Sequence, residues 1–360
     1  VFTGSGYIDL SKLGKEINST EIARLAGVSR STVSRVINNY SNVPEHTRQK
    51  VLQVIEQYNY FPNLSAQVLA GKKTRTIGLF MIDSGDVSSD WIASLLLTKV
   101  IESASRYGYF VLTHIVRDPR RQEEARAVKE CFYQRRIDGG IFIGAANEEP
   151  IIEELIAEGF MVGIVDHHRS GEQEPNRIVF NFDNEAGAGL VIDYLAGLGH
   201  RRIGIINGDL NRYSGAARRK GFKAAMERNR LPIVKQWMME ADFNEPSGYL
   251  AIKELLKLGG ELPTAIFAAN DSIAFGAIRA LGEAGLRVPD DLSIAGFDDH
   301  SLSAGFNPPL TTIHVDFSAM MDELTRHLID GIENGSQVYT QIAMTNSLIV
   351  RDSCRAPSSS

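Results

Sequence analysis

Glu21-Ile22-Ala23-Arg24-Leu25-Ala26-Gly27-Val28-Ser29-Arg30-Ser31-Thr32-Val33-Ser34-Arg35-Val36-Ile37-Asn38 reads as two short helices about a glycine-containing turn. Ser19 or Thr20 is expected to cap the first helix, whose apolar face is Ile22, Leu25 and Ala26; Gly27 breaks it. Ser29 caps the second. Its inward residues Val33, Val36 and Ile37 fall on one helical face, which leaves Arg30, Ser31, Thr32, Arg35 and Asn38 on or near the other. Those outward groups are the donors and acceptors that base edges and phosphates require, so the pair predicts a helix-turn-helix whose second helix enters the DNA major groove. Arg35 suits a bidentate contact with guanine, and Ser29 and Thr32 suit phosphates near the helix start.

Outward from this pair the helical reading continues. A third helix is predicted from Val43-Pro44-Glu45, with Val51, Val54, Ile55 and Tyr58 inward. Asn63 to Ala70 predicts about two further turns before Gly71, and Lys72 to Arg75 reads as an exposed linker. Upstream, residues 1–18 carry little apolar pattern and are expected to be a flexible extension. Charge divides at the same place. The chain is −6 overall, yet up to Arg75 it holds 10 Lys/Arg against 5 Asp/Glu, and beyond it 28 against 39. A basic head on an acidic body is what a phosphate-neutralising module joined to a different kind of domain produces.

Beyond Thr76 short apolar runs alternate with helical patterns: Thr76 to Ile82, Phe110 to Ile115, Gly140 to Ile143, Met161 to Val165, Ile178 to Phe182, Ile203 to Ile206, Ala265 to Ala268 and Leu292 to Gly296. Such runs predict strands buried on both faces, and more than 280 residues of alternation predict two parallel sheets wrapped by helices. The fold class expected is an all-α helix-turn-helix head plus an α/β body of two doubly wound parallel-sheet subdomains. The divisions follow as 19–62 for the DNA-binding domain, 63–75 for hinge helix and linker, 76–340 for the body and 341–360 for a C-terminal segment and tail. Ligands of such sheets sit at strand carboxyl ends, where Asp166, Asn270 and Asp298 end apolar runs and Arg218 heads a helical pattern.

Ala26-Gly27-Val28-Ser29, Thr32 to Asn38, Tyr58-Asn59-Tyr60-Phe61-Pro62-Asn63 and Ala66 to Gly71 together resemble the head and hinge of the LacI/GalR family. Gly199-His200-Arg201-Arg202-Ile203, Arg218 with Gly221-Phe222, Ala269-Asn270-Asp271, Gly296-Phe297-Asp298-Asp299 and Pro309 to Ile313 resemble its later landmarks in order, so the likeness runs from about Ser19 to Gly335. The resemblance implies base contacts from Arg30, Ser31 and Arg35, and positions at Tyr60 and Asn63 that hold the hinge and the phosphate backbone. It also implies a minor-groove wedge at Leu69 beside Ala70. For the body it implies a periplasmic binding protein type I-like sensor, with Arg218, Asn270 and Asp298 holding effector groups, Asp166 at a common acidic position, and Trp91 and Phe243 stacking on the ligand.

The function expected is a dimeric, ligand-responsive repressor of a pseudo-palindromic operator, its effector a sugar or sugar derivative. A nucleobase or a protein corepressor is the alternative, and a solute-binding protein for transport a remoter one. No span or leader pattern is present and the two cysteines, Cys131 and Cys354, are unpaired by spacing, so a cytoplasmic protein is expected. His167 and His168 lack a third ligand at metal spacing, Asp271 reads as a helix cap, and no nucleophile-base set or nucleotide fingerprint emerges. No metal, cofactor or enzymatic activity is therefore expected.

Overall fold

The computed structural model describes residues 17–63, 67–68, 71–82, 91–167, 175–335 and 339–357, and the chain divides into two compact units, 1–74 and 75–360. The first holds helices α1 (Ser19–Ala26), α2 (Arg30–Ile37) and α3 (Glu45–Gln57). Gly27, at φ 63°, ends α1 in the left-handed conformation glycine adopts freely. Asn18, not Ser19 or Thr20, caps α1: its side chain accepts from the Thr20 and Glu21 amides. Ile17 also packs on the head core, so the end of the expected extension belongs to the domain. That core is Ile22, Ala23, Ala26, Val33, Val36, Val43 and Val51. Leu25 and Ile37 are only half-buried, and Tyr58, expected inward, follows the last residue of α3 and is 40% exposed.

The second unit contains two lobes. In the first, strands β1 (Thr76–Ile82), β2 (Phe110–Val116), β3 (Gly139–Ile143), β4 (Val162–Val165), β5 (Arg177–Phe182) and the late β11 (Thr340–Met344) form one parallel sheet in the order β11-β5-β4-β3-β1-β2. Alternation along β1 sends Ile77, Leu79 and Met81 to one core, shared with α4 (Trp91–Arg106) and α11 (Phe317–Asn334). Phe80 and Ile82 face the other, with α5 (Gln122–Tyr133) and α6 (Pro150–Ala157). Gly78 leaves room for the Phe80 ring, 2.5 Å from where a Cβ would stand. β2 departs from expectation. It is an edge strand with Phe110 76% exposed and Leu112 and Ile115 also open, so its apolar run is not buried on both faces.

The second lobe carries β6 (Ile203–Asn207), β7 (Met238–Glu240), β8 (Ala265–Ala268) and β9 (Ser293–Ala295) in the parallel order β7-β6-β8-β9. Helices α7 (Asn184–Gly197), α8 (Tyr213–Arg228), α9 (Glu245–Leu258) and α10 (Asp271–Glu283) accompany it, and β10 (Thr312–His314) pairs antiparallel with β12 (Ser347–Ile349). The chain crosses between lobes three times, at 182–184, 314–317 and 344–347. The first and third crossings are bonded together: the Asp183 amide donates to Met344 O, and Asn346 Nδ2 to Asp183 O. Residues 341–357 are therefore woven through both lobes rather than trailing from them, with Ser353 and Cys354 buried beside Ile294. Arg75 likewise is not free linker, since its amide donates to Asp138 and its carbonyl accepts from Phe110.

Candidate functional site

Two sites emerge, one in each unit. On the head, the Ser29 side chain accepts from the Thr32 amide at 3.1 Å and lies within hydrogen-bond reach of the Ser31 and Thr32 hydroxyls. This fixes the start of α2 and gathers three hydroxyls there, beside the partial positive charge of a helix N-terminus. Arg30 donates from Nε to Ser19 Oγ, which steers it across the turn, and Asn38 donates to Ser34. The Arg35 side chain is exposed and makes no hydrogen bond or ion pair among the described residues. Tyr60 is half-buried against the head core and Asn63 is exposed. Leu69 and Ala70 lie outside the described residues, so the wedge expected there is not seen. Gln67 is helical, and its carbonyl accepts from the Lys72 amide.

In the body a cavity of about 160 Å³ lies where the carboxyl ends of β1, β3, β4 and β5 face the second lobe. Its walls are mixed, with Met81, Leu96, Phe182, Phe243, Phe317 and Met320 supplying much of the apolar and aromatic surface. Asp166, Arg218, Phe243, Asn270 and Asp298 all line it, so five of the six expected residues converge. Trp91 is not in the lining. Its place is taken by Ile92 and Ala93 from the same turn, and its ring packs instead on His300, centroids 4.6 Å apart.

Convergence does not make these side chains free. Arg218 is buried with all three guanidinium nitrogens engaged: Nε to Asn184, Nη1 to the Ala269 carbonyl and Nη2 to Asp298 at 3.2 Å. Its plane lies 3.6 Å over the Phe297 ring. Arg218 therefore ties three segments of the second lobe together and sets the direction of Asp298. Asn270 caps α10 by accepting from the Ile273 amide and donates to Phe243 O. The cap expected at Asp271 thus falls one residue earlier. Asp271 is wholly buried, accepting from the Ser303 and Thr312 hydroxyls and the His300 amide, and burial with Asp298 nearby pushes its carboxyl up to about 7. Asp166 reaches from the first lobe to the second, where its two oxygens accept from the Ser214 amide (2.8 Å) and hydroxyl (2.7 Å) at the start of α8.

Five polar lining residues escaped the sequence reading: Asn181, Asn184, Arg212, Ser214 and Ser272. The Arg212 side chain has no hydrogen bond or ion pair among the described residues, which leaves its guanidinium available at the cavity wall. Its position six residues before Arg218, one turn and a half along the same segment, was the available signal. Among the described residues no three His, Cys, Asp or Glu side chains group to hold a metal, and no helix is long and apolar enough to cross a membrane. His168 lies outside the described residues. His200, buried, bonds Thr264 and the Arg355 carbonyl, a structural role, and burial pulls its pKa down.

Residues 20–63 match the family described as bacterial regulatory proteins, lacI family, and residues 192–354 match the periplasmic binding protein-like domain. Curated relatives include the HTH-type transcriptional repressor PurR of Haemophilus influenzae (strain PittEE), 34% identical over 340 residues, which span 93% of this chain and 98% of the relative. The PurR repressor of Pasteurella multocida (strain Pm70) is 33% identical with the same coverage. Among solved structures, the Lac repressor dimer bound to operator and the anti-inducer ONPF matches with TM-score 0.81 and 31% identity, covering 95% of this chain and 100% of that one. The transcriptional regulator CelR–cellobiose complex matches with TM-score 0.72 and 26% identity, covering 94% and 99%.

Proposed function

The chain belongs to the LacI family of bacterial regulatory proteins and is a transcriptional repressor, not an enzyme, and on that premise we propose that its effector is a purine-type nucleobase rather than the sugar first expected. The observation that carries this reading is Arg212, whose guanidinium has no partner among the described residues, at a cavity that also presents the rings of Phe182, Phe243 and Phe317. A sugar needs polar partners around its whole rim. Here Asp166, Arg218 and Asn270 already have protein partners. A flat base needs apolar faces above and below and a few in-plane partners. Guanidinium is the group that pairs bidentately with the adjacent O6 and N7 acceptors of a purine. The PurR relatives, whose name points to purines, support the same class.

In this reading Asp298, aimed by Arg218, accepts from a ring N–H, and Phe243 lies against a face of the base. The head reads a pseudo-palindromic operator as one half of a dimer, with Arg35, Arg30 and Ser31 toward base edges and Ser29, Thr32, Asn38, Tyr60 and Asn63 toward the backbone or the groove rim. The exposed apolar edge of β2, with Phe110, Leu112 and Ile115, supports a surface covered by a second copy. A DNA-binding repressor of this kind works in the cytoplasm.

Calorimetric titration of the full chain with adenine, guanine, hypoxanthine and xanthine, against a panel of mono- and disaccharides, tests the effector. At least one purine is expected to bind, and Arg212→Ala should weaken it by about 10- to 100-fold, the scale of a lost charge-assisted hydrogen bond. Saturable binding of a sugar with none of the purines overturns the reading.

A further inference from the structure

Trp91 begins α4 on the first lobe, next to Ile92 and Ala93, which line the cavity. His300 lies on the second lobe, two residues after the cavity residue Asp298. The two rings meet at 4.6 Å between centroids, inclined at 46°. His300 is held from behind: its ring meets Phe275 edge-on at 5.4 Å, and Phe275 stacks on Phe306 at 4.4 Å. The His300 amide donates to buried Asp271 at 2.7 Å, and its Nδ1 accepts from the Leu302 amide at 3.0 Å. Phe275, Asp271 and Leu302, which hold His300, belong to the second lobe, while half-buried Trp91 comes from the first.

We infer that Trp91 and His300 form an aromatic clasp across the mouth of the interlobe cavity, which must part for an effector to enter or leave. An anchored ring on one lobe and a large aromatic on the other, each rooted beside lining residues, close the rim without occupying the cavity. The pair biases the lobes toward the closed arrangement, since aromatic contacts of this kind add to simple area burial. The clasp makes His300 a positioning residue for the effector response, acting through Trp91. Only its kinetic role rests on the effector reading above.

The test has a ligand-free arm and a ligand arm, both on the full chain. The protein has two tryptophans; Trp237 is buried with its Nε1 bonded to the Glu261 carbonyl, and Trp91→Phe supplies the Trp237 blank to subtract. In His300→Ala the remaining Trp91 emission should move to longer wavelength, with acrylamide quenching about 3-fold stronger, while His300→Phe, which keeps a ring, stays near the parent. In stopped-flow mixing with each of the four purine bases, His300→Ala should raise association and dissociation rates together by about 3- to 10-fold, the factor lost with one aromatic pair. Identical Trp91 emission and quenching in parent and His300→Ala overturns the clasp. Exposed Trp91 with unchanged rates overturns the gate. If no purine binds, the effector reading fails and the fluorescence arm alone decides the clasp.

Discussion

Arg35 and Arg218 carry the same side chain under opposite conditions. Arg35 stands exposed on α2 with no side-chain bond among the described residues, over a core of seven small and branched residues. Arg218 is buried in the body, with Asn184, Ala269 and Asp298 on its three nitrogens and Phe297 beneath it. The head is built to hold a polar face outward and leave its donors for another molecule. The body consumes most of its polar groups internally and leaves one guanidinium, Arg212, at the cavity. A recognition surface needs open donors, whereas a two-lobed sensor needs bonds that distinguish one arrangement of the lobes from another.

That contrast breaks most visibly at Arg218. Arg218→Ala removes the guanidinium from the buried Asp298 carboxylate and the Ala269 carbonyl, and should cost the body about 3–5 kcal/mol in denaturant unfolding; a loss within 0.5 kcal/mol, the ordinary scale of a surface change, would show that the bridge is not what holds the second lobe together. Asp271 tests the buried network through pH. Its carboxyl ordinarily titrates near 3.8 and is held up to about 7, so between those values the folded chain keeps a proton that the unfolded chain has released. Stability then falls as pH rises through that window. Asp271→Asn should flatten the fall by on the order of 2 kcal/mol between pH 5 and pH 8, and parallel pH profiles would contradict it.

The head gives the smallest effect on stability and a separate effect on recognition. Arg35→Ala should leave head unfolding unchanged within about 0.5 kcal/mol. It should still lower discrimination between operator and unrelated DNA by about 1–3 kcal/mol. Competition binding at fixed salt measures this, and equal losses on both DNAs would make Arg35 a phosphate contact instead.

Much of this architecture was legible in the chain. Gly27 between two short amphipathic runs, and Ser29 three residues before the Thr32 amide it accepts from, are local features, and the structure keeps them. The strands of both lobes announced themselves as apolar runs; Ala265–Ala268 was read to the residue. The edge strand β2 was misread because an exposed apolar run and a buried one look alike in sequence. β7, β10, β11 and β12 were missed because none is a continuously buried apolar run like β4, β8 or β9.

The sequence by itself determined the head, the split of charge at Arg75, and the strand ends and helix that place Asp166, Asn270, Asp298 and Arg218 around one cavity. These depend on helical and strand period and on caps, which act over a few residues. The tertiary structure alone decided what those side chains are bonded to. Asp166 binds Ser214 across the lobes, Arg218 joins segments 34, 51 and 80 residues distant, and Trp91 meets His300. The contacts of Asp166 and Trp91 depend on how the two lobes meet and those of Arg218 on how distant segments of one lobe pack, and neither leaves a local pattern to read.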